Sequence, residues 1–329
     1  MKILAGDIGG TKTLLQLAQY ADQRFSVLAE TRFDSRAFAT FDAVLEAFLE
    51  QHAAARNGIQ SACIGVAGPV QAQQAKVTNL PWQLDASRLA ADFSIPRLVL
   101  INDFQAIGYG IEALADQDMV ALQQGVAVPR GVRAVIGAGT GVGHAILAWC
   151  NNAYQALSSE AGHSGFAPVN ELQRELLAYL ETQFGVVSLE RVLSGPGIEN
   201  IFRFFCAREP AALTRELAAA QHHGVTPAVV NAALASTDPL AVKTLELFIE
   251  VYGAAAGNLA LYTLATGGVY IAGGIAPRII DLLTQGSFVA AFNNKSQMQA
   301  LLSSVPVKVV MNPQVGLLGA AVYAARGGW

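Results

Sequence analysis

A strand, a glycine turn and a second strand occur twice in this 329-residue chain, and that recurrence restricts the fold more than any other feature. The first copy runs from Ile3-Leu4-Ala5 through Gly6-Asp7-Ile8-Gly9-Gly10-Thr11-Lys12-Thr13 into the alternating run Leu14 to Ala18. The second runs from Ala134-Val135-Ile136 through Gly137-Ala138-Gly139-Thr140-Gly141-Val142-Gly143 into His144 to Trp149. A separation of about 130 residues is too long for a solenoid period and reads as an internal duplication. Glycines without a Cβ let the backbone take positive φ and admit a bulky anion close to the amides, and Thr11, Thr13 and Thr140 add hydroxyls. The pattern suits phosphate; an ordinary hairpin turn is the plainer alternative. It is not a Walker A loop, because Thr11-Lys12-Thr13 stands in place of Gly-Lys-Ser/Thr and a strand follows instead of a helix. The third glycine spacing of a dinucleotide fingerprint also fails.

A chain of this length is expected to divide into two domains with a cleft between them. Its residues are 53% apolar and 14% charged, with mean hydropathy +0.37, enough to bury a large core. The net charge of −4 comes without any basic cluster. Nucleic acid and anionic membrane are therefore not expected as partners. Cys63, Cys150 and Cys206 are scattered, odd in number and form no Cys-x-x-Cys pair. Reduced thiols, no zinc and a cytoplasmic location are the expectation. No signal peptide is expected before the first strand, and the apolar stretch Leu240 to Leu264 carries Lys243, Glu246 and Glu250, which suits a buried helix better than a membrane span.

Taken in order, residues 2 to 33 read as a three-stranded meander. From Thr40, a possible N-cap, apolar residues recur at Phe41, Val44, Leu45, Phe48 and Leu49, predicting an amphipathic helix with Gly58 as its stop. Ile59 to Val66 and Arg97 to Ile101 read as strands, Asn79-Leu80-Pro81-Trp82 as an irregular loop, and Asn102-Asp103 opens a helical run. Residues 169 to 265 read as largely helical, broken at Gly195-Pro196-Gly197. Val269 to Ala272 is a short strand meeting Gly273-Gly274, and a strand from Val307 and a helix from about Val315 close the chain.

Three groups of residues carry possible chemistry. Asn102-Asp103 sits between a strand's end and a helix's start, where α/β folds place ligand groups, and reads equally as a helix cap. Asp103 in such a crevice would serve as a base. Glu160 and His163 lie in a serine- and glycine-rich turn that suits binding of a polar ligand; a solvated loop and a metal pair lacking a third ligand are the alternatives. Glu190 is ambiguous in isolation. His52, His144, His222 and His223 have no partner pattern, and no nucleophile elbow is present, so a hydrolase triad is unsupported.

Six ordered motifs together resemble the bacterial glucokinases of the hexokinase, actin and heat-shock-protein ATPase superfamily. They are Ala5 to Thr11, Leu100-Ile101-Asn102-Asp103-Phe104, Gly137 to Gly143, Glu160-x-Gly162-His163, Glu190 to Gly197, and Gly268-Val269-Tyr270-Ile271-Ala272-Gly273-Gly274-Ile275. The resemblance implies an α/β fold of two ribonuclease-H-like (actin-like ATPase) domains with the active-site cleft between them: residues 1–113 plus 313–329, and residues 114–312. It implies ATP-dependent phosphorylation of glucose at O6, with Asp103 as the base and Asn102, Asp103, Gly141, Glu160, His163 and Glu190 holding the sugar. Carboxylates, an amide and an imidazole are the side chains able to read hydroxyls that both donate and accept. By the same resemblance Gly6, Asp7, Ile8, Gly9, Gly10, Thr11 and Thr140 hold phosphate, Asp7 holds Mg²⁺ through water, and adenine lies near Gly273-Gly274. A homodimer is also implied. Lys12 and Glu-x-Gly-His are shared with the related repressor, open-reading-frame and kinase family. The cysteine-rich zinc motif of that family is absent here, which favours the non-zinc group. A broader hexose or N-acetylhexosamine kinase and a catalytically silent sugar sensor are the alternatives.

Overall fold

The computed structural model describes residues 1–212, 214, 217 and 225–326. His222, His223 and the last three residues of the expected 313–329 segment lie outside them. The chain forms two compact units, Met1–Asp116 with Cys150–Ser158 and Asn312–Trp329, and Gln117–Trp149 with Ser159–Met311.

The first unit is built on strands β1 (Lys2–Ile8), β2 (Lys12–Ala21), β3 (Arg24–Asp34), β4 (Ile59–Val66) and β8 (Leu98–Asn102), in the order β3-β2-β1-β4-β8. β1 pairs antiparallel with β2 and parallel with β4, and β4 pairs parallel with β8. Helix α1 (Phe41–Gln51) buries Phe41, Val44, Leu45, Phe48 and Leu49, the stripe its sequence predicts, and the Thr40 hydroxyl caps it by accepting from Ala43 N–H at 3.3 Å. The helix ends at Gln51, seven residues before Gly58 (58 − 51), because the apolar repeat stops at Leu49; Gly58, at φ +78°, turns the chain into β4 instead. Between β4 and β8 lie helix α2 (Ala86–Asp92) and a small sheet of β5 (Val70–Gln71), β6 (Gln74–Lys76) and β7 (Gln83–Asp85), whose strands are too short to show a period. Trp82, read from sequence as part of an irregular loop, is 1% exposed, and its indole N–H donates to Phe38 O at 3.1 Å. Helix α3 (Asp103–Ile111) and the final helix Val315–Ala325 complete the unit.

The second unit repeats the plan. Its strands β9 (Met119–Gln123), β10 (Arg133–Ala138), β11 (Val142–Cys150), β13 (Gly268–Ala272) and β14 (Val307–Val310) pair in the order β11-β10-β13-β14-β9, while β12 (Ala153–Ser159) falls, up to its last residue, in the Cys150–Ser158 segment of the first unit. Here β10 pairs antiparallel with β11 and parallel with β13, and β13 pairs parallel with β14. The order and directions of β11-β10-β13-β14 match those of β2-β1-β4-β8, with β9 added at the far edge by antiparallel pairing to β14. The core of this unit lies among α4 (Glu171–Phe184), α5 (Gly195–Arg208), α6 (Thr226–Leu234) and α7 (Pro239–Thr263). α7 is buried along most of its length, as expected for Leu240 to Leu264, and Asp238 caps it by accepting from Ala241 N–H at 2.8 Å. Gly195-Pro196-Gly197 does not break between helices; it is the first turn of α5. The Ser194 hydroxyl accepts from Gly197 N–H at 3.0 Å, and Pro196 occupies the turn where its missing N–H costs no hydrogen bond. Among the described residues no helix is long and apolar enough to cross a membrane.

Candidate active site

Parallel pairing brings several chain ends to one edge of each sheet. In the first unit Ile8 is level with Val66, and Val66 with Asn102, so the Gly9-Gly10-Thr11 turn and Asn102-Asp103 leave the sheet at the same side. In the second, Gly137 is level with Ala272, so the Gly139-Thr140-Gly141 turn and Gly273-Gly274 do likewise. The carboxyl ends of parallel strands are where open α/β sheets bind ligands, because helix N-termini and loops converge there.

The first turn is held from below. Gly9 N–H donates to Lys12 O at 2.9 Å, the Ser35 hydroxyl donates to Gly9 O at 2.9 Å, and Ser35 N–H donates to Thr11 O at 3.0 Å. Neither Gly9 nor Gly10 has the positive φ that the sequence suggests. What glycine supplies here is room: a Cβ on Gly10 would stand 3.4 Å from Thr78 O, and one on Gly9 3.2 Å from Lys12 O. The side chains of Thr11 and Lys12 remain exposed. Asp7, two residues earlier on β1, is partly buried, and its Oδ2 lies 3.3 Å from where a Cβ on Gly316 would project. That places the carboxylate against the first turn of the final helix, whose N-terminal end carries partial positive charge. Burial nevertheless pushes the Asp7 carboxyl above the usual range, with Lys12 pulling the other way. A cation beside Asp7 would stabilise its charged form, so the donor set fits a water-bridged Mg²⁺.

Asn102 is both a cap and a brace. Its Oδ1 accepts from Phe104 N–H at 2.9 Å and Gln105 N–H at 3.3 Å, Gln105 Oε1 accepts from Asn102 N–H at 3.4 Å, and its Nδ2 donates to Gly68 O at 3.1 Å. This capping box and the bond to Gly68 fix the first turn of α3. Asp103, the first helical residue, accepts from Phe104 N–H at 2.9 Å through Oδ1. The capping reading is therefore correct for Asn102, and it orients Asp103 at the sheet edge.

In the second unit three sequence-distant segments meet at the start of β11. Glu190 Oε2 accepts from Val142 N–H at 2.9 Å, and a Cβ on Gly141 would overlap that same oxygen. A side chain at 141 would therefore displace the carboxylate of Glu190 from its place on Val142 N–H. A Cβ on Gly162 would overlap Val142 O, so the single helical turn Ala161–His163 lies directly on the same residue. Backbone bonds then join the two segments: Leu189 N–H donates to Ser164 O at 2.7 Å, and Phe166 N–H to Val187 O at 2.9 Å. Glu160 and His163 are exposed at the ends of this turn, whereas Glu190 is partly buried.

The second turn is tied to two helices that local sequence does not connect with it. Gly195 N–H, at the start of α5, donates to Gly139 O at 2.8 Å, so the N-terminus of a 14-residue helix adjoins the glycine turn, an arrangement that favours anions. A Cβ on Gly139 would meet nothing within 4 Å, and Thr140 is exposed. From α7, the buried Tyr252 hydroxyl accepts from Ala138 N–H at 3.1 Å and faces Ile136 O at 3.4 Å and Ala272 O at 3.3 Å. Burial pushes the Tyr252 phenol pKa upward, so it stays protonated. Gly273, at φ +84°, packs where a Cβ would overlap Ala138 O, and Ile275 N–H donates to Ala138 O at 3.2 Å. Ser194, Gly195 and Tyr252 are the supporting residues that local pattern did not single out as such. Only the Ser-Gly-Pro run, a helix-start signal, gave a hint.

Two sheets sharing one strand plan, with a glycine-threonine turn after β1 in one and after β10 in the other, mark the actin-like ATPase fold, and solved structures that this chain resembles are sugar kinases. The family model described as Glucokinase matches residues 4–327. A glucokinase of Nostoc punctiforme is 44% identical over 340 aligned positions, covering 98% of this chain and 99% of that protein. A glucokinase of Synechocystis is 40% identical, covering 99% and 98%. The crystal structure of a glucokinase from an Antarctic psychrotroph superposes with a TM-score of 0.85 at 34% identity, covering 99% of each chain. The chain belongs to the glucokinase family.

Proposed function

We propose that the protein transfers the γ-phosphoryl group of ATP to O6 of D-glucose, giving glucose 6-phosphate and ADP. Family membership supports the activity. The observation that carries the residue-level reading is the gathering of Gly141, Glu190 and the Glu160–His163 turn on Val142. Such a cluster of acceptors and an imidazole suits a ligand with several hydroxyls, and a sugar of the wrong epimer leaves one of them unpaired.

In this reading Asn102, Asp103, Gly141, Glu160, His163 and Glu190 hold glucose. Asp103 accepts the O6 proton as O6 forms its bond to the γ-phosphorus and the bond to the ADP oxygen breaks. Amides and hydroxyls of Gly9, Gly10, Thr11 and Thr140 orient the phosphates beside Gly6, Asp7 and Ile8, and Gly273-Gly274 receives adenosine. Mg²⁺, held through water by Asp7, supplies charge neutralisation when bound. The two domains are read with boundaries near residues 113 and 312, close to those of the compact units except that Cys150–Ser158 groups with the first unit, and the active species as a cytoplasmic homodimer that feeds glycolysis.

A coupled ADP-release assay with ATP and Mg²⁺ over a panel of hexoses and N-acetylhexosamines tests the activity. Glucose is expected to give the highest kcat/KM; a higher value for an N-acetylhexosamine overturns the substrate assignment, and sugar binding without ADP release overturns the kinase. Glu190→Gln is expected to raise the KM for glucose by about 10- to 100-fold, the worth of a charge-assisted hydrogen bond, with a smaller change in kcat. An unchanged KM removes Glu190 from the sugar set.

A further inference from the structure

Helix α7 borders a cavity of about 80 Å³ in the second unit, lined by Val251, Ala255 and Leu259 of the helix and by Phe166 and Leu189. Tyr262, 83% exposed near the end of α7, also lines it, so the cavity opens to solvent there. Four polar side chains share this wall with carbon: Ser164, whose hydroxyl donates to Ala161 O, Asn258, whose Oδ1 accepts from Lys295 Nζ, and two that are buried, His144 of β11, 2% exposed, and Gln173 of α4, 1% exposed. Gln173 Oε1 accepts from Val169 N–H at 3.0 Å, which fixes the amide and leaves Nε2 as a donor. That Nε2 is buried and has no hydrogen-bond partner among the described residues, and the same holds for His144 Nδ1. Buried polar atoms are almost always paired, and two orphans lining one cavity point to a molecule that pairs them. Burial pushes the His144 pKa down to about 4, so the ring is neutral and its unpartnered Nδ1 donates or accepts according to the tautomer. No Asp, Glu, Lys or Arg lines the cavity among the described residues, which leaves a charged ligand without a counter-ion.

We propose that this cavity is a second ligand site, for a small uncharged molecule that is mostly carbon and carries one oxygen to accept from Gln173 Nε2 and share a proton with His144. Its wall includes Ala161 and Ser164, in the segment of Glu160 and His163, and Leu189, next to Glu190. Occupancy therefore shifts the apparent KM for glucose. That consequence, unlike the binding itself, rests on the sugar reading above.

Phenol is the probe and toluene, which lacks the hydroxyl, its control. Each is titrated into the full-length protein without sugar or nucleotide, followed by calorimetry and ligand-observed NMR. Phenol is expected to bind saturably at one site per chain, with toluene at least about tenfold weaker, the value of one buried hydrogen bond. Ala254→Phe, which fills the cavity from α7, is expected to abolish phenol binding and leave kcat on glucose within about twofold. His144→Phe keeps the ring volume and is expected to weaken phenol about tenfold. Absence of saturable phenol binding, equal binding of toluene, or full binding by Ala254→Phe overturns the proposal. So does a wild-type dimer that ignores phenol and is split by Tyr262→Glu in sedimentation, since the face then belongs to a second copy of the chain.

Discussion

Asp103→Asn is expected to lower kcat on glucose by about 10²- to 10⁴-fold while the KM for glucose changes by no more than a few fold. Asparagine has the shape of aspartate and keeps an Oδ1 for the Phe104 N–H, so the first turn of α3 survives the change. The cap itself is Asn102, which is untouched, with its bonds to Phe104, Gln105 and Gly68 intact. What disappears is the carboxylate proposed to take the O6 proton. Steady-state kinetics in the coupled assay, with circular dichroism to establish the fold, measures the effect. A variant that turns over at the wild-type rate removes Asp103 from the chemistry.

The second large effect concerns how Asp103 is kept in place. Gly319→Ala, on the final helix, is expected to destabilise the protein by about 3 kcal/mol or more and to lower Tm by roughly 5–10 °C. A methyl at 319 would overlap Ala106 O of α3, and reciprocally a methyl at Gly110 of α3 would overlap Val315 O. The two helices touch backbone to backbone, with a glycine on each side. Gly108 and Gly110 both lie inside α3, where glycine costs about 1 kcal/mol each against alanine, and at Gly110 that cost is offset by the close approach. Pushing the helices apart disturbs Asp103 at the start of one and the turn beside Asp7 at the start of the other, so kcat should fall as well. Gly165→Ala adds its methyl where no atom lies within 4 Å and should leave Tm within about 1 °C. Differential scanning calorimetry of the two variants decides the matter; equal Tm values would mean the helices yield at no cost.

Much of this was legible in the chain itself, and the exceptions have physical causes. The glycine turns announce themselves because they interrupt apolar strands, and the α1 stripe because five buried residues follow one helical period. The small sheet of β5, β6 and β7 gave no warning, since strands of two or three residues carry no alternation. β9 was missed because it is an edge strand with all five residues half-buried, so no inside-outside pattern marks it. Gly58 misled as a helix stop because a positive-φ glycine marks a turn without saying which element it follows. At the site, Asn102-Asp103 could be found by position, whereas the partner of Glu190 could not. Val142 N–H is 48 residues away, and only folding shows that the carboxylate and Gly141 contend for the same space. Tyr252 likewise lies in an unremarkable apolar helix, 114 residues from the amide it accepts from.

That tyrosine sets a gauge. Its one oxygen is pinned to the ends of β10 and β13 together, so the separation between the Gly139-Thr140-Gly141 turn and Gly273-Gly274 is a fixed length and not two independent adjustments. If the first grips phosphate and the second adenosine, the protein measures its phosphoryl donor by span. A donor lacking the base, such as an inorganic polyphosphate chain, meets only one end of the ruler.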